Sequence, residues 1–170
     1  MWVFDATPLI YLAKADRLAL VSKLDDQCWI PQRVYTEVVT DGLEAGYADA
    51  RRIERCVDEG VFETVSVEET QLRTRLRQNP NLSPADIAVL ACADTRDAIA
   101  VMDEAAGRTA AEVEGIETKG TAYLVLLCAK EGNISISEAR DTIDTMIDAG
   151  WYCAPDLYAR LVQKLESFEN

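Results

Sequence analysis

Along this chain, short apolar runs that stop at a carboxylate alternate with stretches whose apolar residues recur at helical spacing. Trp2-Val3-Phe4 runs into Asp5, and Ala98-Ile99-Ala100-Val101-Met102 runs into Asp103-Glu104. Both read as buried strands. Cys28-Trp29-Ile30 and Ile116-Glu117-Thr118-Lys119 read as shorter ones, and residues 61–67 alternate with period two, as a half-covered edge strand does. Between these lie helical segments. Thr7 as a cap and Pro8 at a first helical position predict a helix over 8–24, broken near 14–17. Pro31 opens a second, over 31–42, with Val34, Tyr35, Val38 and Val39 as its apolar stripe. A third covers 43–59 up to Gly60, and a short polar one covers 68–78. Ser83 and Pro84 fit the cap and first position of a strong helix. Further helices are predicted over 105–114, 122–131, 138–149 (opened by the Ser135…Glu138 capping box) and 155–165.

Strands alternating with helices imply an α/β fold: a single three-layer domain over residues 1–170, with a central, mainly parallel sheet flanked by helices. In an open parallel sheet, ligands sit beyond the carboxyl ends of the strands, beside the point where strand order reverses. Asp5 and Asp103 end two apolar strands. Asp86 lies in the first turn of the helix that leads into the second of them, and Glu37 lies on the helix after the second strand. All four are expected around one crevice.

Composition narrows the chemistry. The 170 residues contain no histidine, which removes Ser-His and Cys-His catalysis and any histidine-ligated metal. The five cysteines are scattered, without a C-x-x-C pair, and read as small apolar core residues in a reducing compartment. No apolar run is long enough for a membrane span, and no signal peptide is visible, so the expected location is cytoplasmic. What remains is carboxylate chemistry. Packed carboxylates repel and raise one another's pKa unless a cation neutralises them, and all-oxygen donors suit Mg²⁺ or Mn²⁺. A cation so held can activate water and orient a phosphodiester. Taken singly, each acid has a plainer role: Asp5 as a cap, Glu37 as a solvated charge, and Asp86 and Asp103 as favoured acids at helix starts.

The formal net charge of −13 is unusual for a protein that handles nucleic acid. Acid spread over the whole chain points to a halophilic protein in a high-salt cytoplasm, or simply to an acidic soluble one. Arg51, Arg52, Arg55, Arg73, Arg75 and Arg77 are the candidate RNA contacts, unless they form solvated helix faces.

The acidic motifs, in their order, resemble those of the PIN domain, including a largely uncharacterised prokaryotic branch and the VapC-type toxins. Phe4-Asp5-Ala6-Thr7-Pro8-Leu9-Ile10 is similar to the opening motif, and Pro31 to Val38, centred on Glu37, to the second. Ser83-Pro84-Ala85-Asp86-Ile87 is similar to the third, Val101 to Arg108 to the fourth, and Gly120-Thr121-Ala122-Tyr123-Leu124 to a later stretch of that branch. The resemblance implies Asp5, Glu37, Asp86 and Asp103 as metal ligands, and Glu104 as an outer ligand or base. It implies that Thr7 orients Asp5, and that Arg108 and Thr121 support the site or touch phosphate. Asp-Glu stands where that branch often has Asp-Asp, and Asp86 where it often has Glu. The activity implied is a Mg²⁺- or Mn²⁺-dependent endoribonuclease acting on RNA, with an antitoxin protein as partner if it is a VapC-type toxin, and a homodimer as a common state. The alternative is a PIN-like RNA-binding or protein-interaction scaffold without turnover.

Overall fold

The computed structural model describes residues 1–169. Its centre is β1 (Trp2–Phe4), whose three residues are all buried. With no polar side chain, such a strand is stable only where both faces are covered. On one side it pairs in parallel with β2 (Cys28–Pro31), on the other with β4 (Ile99–Val101). The five-stranded, all-parallel sheet has the order β3-β2-β1-β4-β5, with β3 (Glu63–Val65) and β5 (Thr118–Lys119) at its edges. The chain therefore winds outward from β1 to β3 and then returns to the far side of β1. The reversal falls between β1 and β4, and the Asp5 N–H donates to the Val101 carbonyl across it at 3.0 Å. The expected alternation, the parallel sheet and the edge position of β3 are all present.

The helices form the outer layers. α1 (Ala6–Lys14) packs on α4 (Ala48–Asp58) and on α9 (Ile136–Asp148), which in turn packs on α8 (Thr121–Lys130) and α10 (Pro155–Ser167). α6 (Pro84–Arg96) lies against β1, β2 and β4, with α5 (Gln71–Leu76) and α7 (Ala105–Val113) beside it. α6 is buried from Ala85 through Ala93, which is why it reads as apolar nearly all round. The core joins both layers, with Phe4, Leu9, Ile53, Leu90, Met102 and Met146 wholly inside.

Several boundaries differ from the sequence reading. α1 starts at Ala6, so the cap is Asp5 rather than Thr7, and Pro8 falls at the third helical position, where its missing N–H costs no helical bond. The predicted 8–24 helix ends at Lys14; Asp16 takes a left-handed conformation, and residues Leu18–Lys23 form a 3₁₀ helix. The second helix runs on past residue 42. α2 (Gln32–Tyr35) passes through a π turn (Thr36–Thr40) into α3 (Asp41–Glu44). It stops at Gly46, whose φ of +79° suits glycine, so the predicted 43–59 helix is divided. The strand over 61–67 shortens to three residues, and the helix over 68–78 to six.

Candidate metal centre

The side chain of Asp5 is held by the turn that follows β1. Its Oδ1 accepts from the N–H of Ala6 at 2.8 Å and so caps α1. Only 3% of Asp5 is exposed. Burial pushes its carboxyl up to about 7 from an ordinary 3.8, against the lowering effect of the Ala6 bond; the negative charges of Asp86 and Glu104 push further upward, as does a hydrogen bond to Asp86. Asp5 and Asp86 are thus two buried, neighbouring carboxyls.

Asp86 is placed by a reciprocal cap at the start of α6. Its Oδ2 accepts from the Ser83 N–H at 2.9 Å, while its own N–H donates to Ser83 Oγ at 3.1 Å. Pro84 at the first helical position fixes the entry. This capping role and proximity to Asp5 coexist, because one carboxylate has lone pairs for both.

Asp103 is oriented otherwise. Its Oδ1 accepts from the Thr121 N–H at 2.8 Å, and its Oδ2 from Thr121 Oγ1 at 2.7 Å and Trp151 Nε1 at 3.3 Å. It thereby ties the end of β4 to the start of α8 and to the segment before α10. Gly120 leaves room there: a Cβ would lie 2.9 Å from Asp103 Oδ1 and 3.2 Å from Arg108 Nη1, so either side chain would have to shift. Of the Asp103-Glu104 pair, it is Glu104 whose charge bears on Asp5.

Glu37 is exposed on the π turn. Thr7 is half-buried in the first turn of α1, but Asp5 takes its bond from Ala6. Arg108 is exposed beside Gly120. Among the described residues, no three acidic or thiol side chains lie close enough together to enclose an ion. The acids are thus a buried pair, Asp5 and Asp86, with the charge of Glu104 acting on it; an inward-bonded Asp103; and Glu37, exposed on the π turn. Trp151, read from sequence only as extended or contact-forming, was the residue missed. A tryptophan N–H needs a buried acceptor, but no local pattern names one 48 residues away.

The arginine set expected to meet RNA is largely occupied within the chain. Arg52 donates to the Ala13 carbonyl, Arg73 to the Val67 carbonyl, Arg75 pairs with Glu114, and Arg77 pairs with Glu69. The cysteines are free, and burial pushes the thiols of Cys28 and Cys128 up to about 12 and about 11. Among the described residues, no helix is long and apolar enough to cross a membrane.

A buried acid pair thus lies at the strand-order reversal of a parallel sheet, one of its members capping the helix that follows β1. The family model of the PIN domain matches residues 1–167, and the chain belongs to that family, whose members are generally nucleases. Its fold is similar to that of a chain in the crystal structure of VapBC2 from Rickettsia felis bound to a DNA fragment from their promoter. The TM-score is 0.51 at 13% identity, covering 70% of this chain and 97% of that one. No curated protein matches the sequence.

Proposed function

We propose that this PIN domain is a Mg²⁺- or Mn²⁺-dependent endoribonuclease that hydrolyses RNA phosphodiester bonds. The observation that carries the reading is the buried Asp5–Asp86 pair. Among the described residues, no cationic side chain acts on Asp5. Two such carboxylates are stable together only if one keeps a proton or a cation replaces it. The donors are all oxygen, and Mg²⁺ is commonly bound through one or two carboxylates, with water and substrate phosphate completing its shell. A pair therefore suffices where a closed cage is absent. Asp5 and Asp86 are the residues that would hold the ion, with Glu104 at its flank. Glu37, the acid of the second motif, is carried on a π turn of a kind frequent at functional sites.

When bound, the metal supplies Lewis acidity toward the phosphate and lowers the pKa of water. The chain's own groups do the rest. Asp5 must lose its proton for the pair to bind a cation. Glu104 stands at the flank to take a proton from water. Asp103, through Thr121 and Trp151, fixes the loop that carries Glu104. Thr7 lies two residues beyond Asp5, in the first turn of α1, and Arg108, which makes no ion pair among the described residues, can meet phosphate.

The likeness to a VapBC2 chain supports a VapC-type toxin, acting in the cytoplasm and covered by an antitoxin when at rest. The dense surface acid supports a halophilic setting, in which salt screens repulsion between protein and RNA. The test is RNA cleavage by wild type and Asp5→Asn with Mn²⁺, at molar and at low salt. Manganese-dependent cleavage that is lost in Asp5→Asn supports the reading. RNA binding without cleavage in either protein supports a scaffold instead.

A further inference from the structure

We infer that the cleft between Asp103, the end of β5 and α10 binds an unpaired nucleotide of single-stranded RNA, with Tyr123 and Tyr152 as stacking surfaces and Arg108 and Lys119 as phosphate contacts. The inference rests on the nuclease reading and names where its substrate lies.

The cleft has a volume of about 450 Å³ and is lined by these four residues together with Trp151 and Leu157, among others. That is within the ~300–1,000 Å³ usual for ligand sites. Tyr152 is 85% exposed, an uncommon display of aromatic surface next to a buried tryptophan, and Tyr123 is 39% exposed. Lys119 Nζ lies 4.6 Å from the centroid of the Tyr123 ring, so a cation and a π-face are already side by side. Exposed rings interleaved with cations form the usual platform for unpaired bases and their phosphates.

The charged residues lining this cleft are two cations, Arg108 and Lys119, and one acid, Asp103. The chain carries −13, and Arg73, Arg75, Arg77 and Arg160 are each paired with an acid of the same chain. Arg108 makes no ion pair among the described residues, and Lys119 reaches Glu117 only at 3.9 Å. The acid on the floor, Asp103, directs both oxygens inward to Thr121 and Trp151. The cleft is therefore locally cationic on an anionic molecule, which suits a polyanion. Asp103 lines the cleft, and the next residue, Glu104, acts on Asp5 through its charge.

The experiment measures Mn²⁺-dependent cleavage of an unpaired oligouridylate, and anisotropy of the same labelled oligomer bound to metal-free protein, for wild type, Tyr152→Ala, Tyr152→Phe and Arg108→Gln. Tyr152→Ala is expected to raise KM about tenfold, the lower range for one lost stack, with kcat nearly unchanged. Tyr152→Phe keeps the ring and should match wild type. Arg108→Gln should weaken binding at low salt and little at molar salt. Both residues are exposed, and an unchanged melting temperature shows each variant folded. Wild-type cleavage or binding that neither Tyr152→Ala nor Arg108→Gln alters overturns the cleft alone, including the case where a partner protein occupies it. Binding lost in Tyr152→Ala, with no cleavage by wild type, upholds the cleft and overturns the nuclease reading. Absence of both cleavage and RNA binding in wild type overturns both readings.

Discussion

Trp151 donates its indole N–H to Asp103 across 48 residues of chain, tying the segment before α10 to the rim of the acid pair. Trp151→Phe removes that donor and leaves a smaller ring at a buried position. Loss of one hydrogen bond to a carboxylate is expected to lower stability by about 1.5–3 kcal/mol, read by denaturant midpoint. Cleavage should fall as well, because the loop carrying Glu104 loses one of its ties. A variant as active and as stable as wild type would show that Asp103 is held by Thr121 alone.

Asp5→Asn isolates the charge. Asparagine caps a helix as well as aspartate does, so the bond from Ala6 survives while the repulsion from Asp86 and Glu104 ends. In metal-free protein at pH 8 the substitution should stabilise the fold by roughly 1–3 kcal/mol. With Mn²⁺ in excess the ranking should reverse, because only wild type gains from binding. Calorimetric melting with and without Mn²⁺ tests both.

The pH dependence follows with a definite sign. The Asp5 carboxyl is raised from 3.8 to about 7, so its folded form retains a proton that its unfolded form has released. Its contribution to stability is fully present below about 3.8 and lost as pH rises through about 7. The gap between wild type and Asp5→Asn should therefore be absent at low pH, open between those values and level off above. Mn²⁺ affinity should move the other way, strengthening by about tenfold per pH unit below 7 as one proton is displaced. Titration calorimetry in two buffers of different ionisation heat would count that proton.

Ser83 governs Asp86. Ser83→Ala removes the acceptor for the Asp86 N–H and is expected to cost about 1 kcal/mol. Weaker Mn²⁺ binding should accompany it, since Asp86 then has one tie fewer. Ser83→Thr keeps a hydroxyl and should restore both quantities; failure to do so would separate the cap from the site.

Gly42 reports on the helix pair that carries Glu37. A Cβ there would lie 2.8 Å from the Cβ of Ala50 on α4. Gly42→Ala should destabilise by ~1–3 kcal/mol, and adding Ala50→Gly should recover most of the loss, as expected for residues in direct contact.

The strands and their order of burial were legible because a short, wholly apolar run that stops at an acid fits a covered strand and little else. The Ser83…Asp86 and Ser135…Glu138 caps were legible too, being local patterns with a local cause. α1 starts two residues before the expected Pro8 because Asp5, Thr7 and Pro8 all suit a helix entry, and which of them caps depends on where β1 stops. The π turn at Glu37 leaves no mark in residue spacing. At the site, sequence named the acids but not their partners. Asp103 and Glu104 are adjacent, and only packing of Thr121 and Trp151 against the first decides which one turns toward Asp5.

The sheet's margins are brief: β3 offers three residues of strand and β5 only two. A second chain seeking to lengthen the sheet would find almost no unpaired backbone to join. Self-association and capture by another protein are thus left to the helical exterior, where side chains rather than main-chain ladders set the specificity.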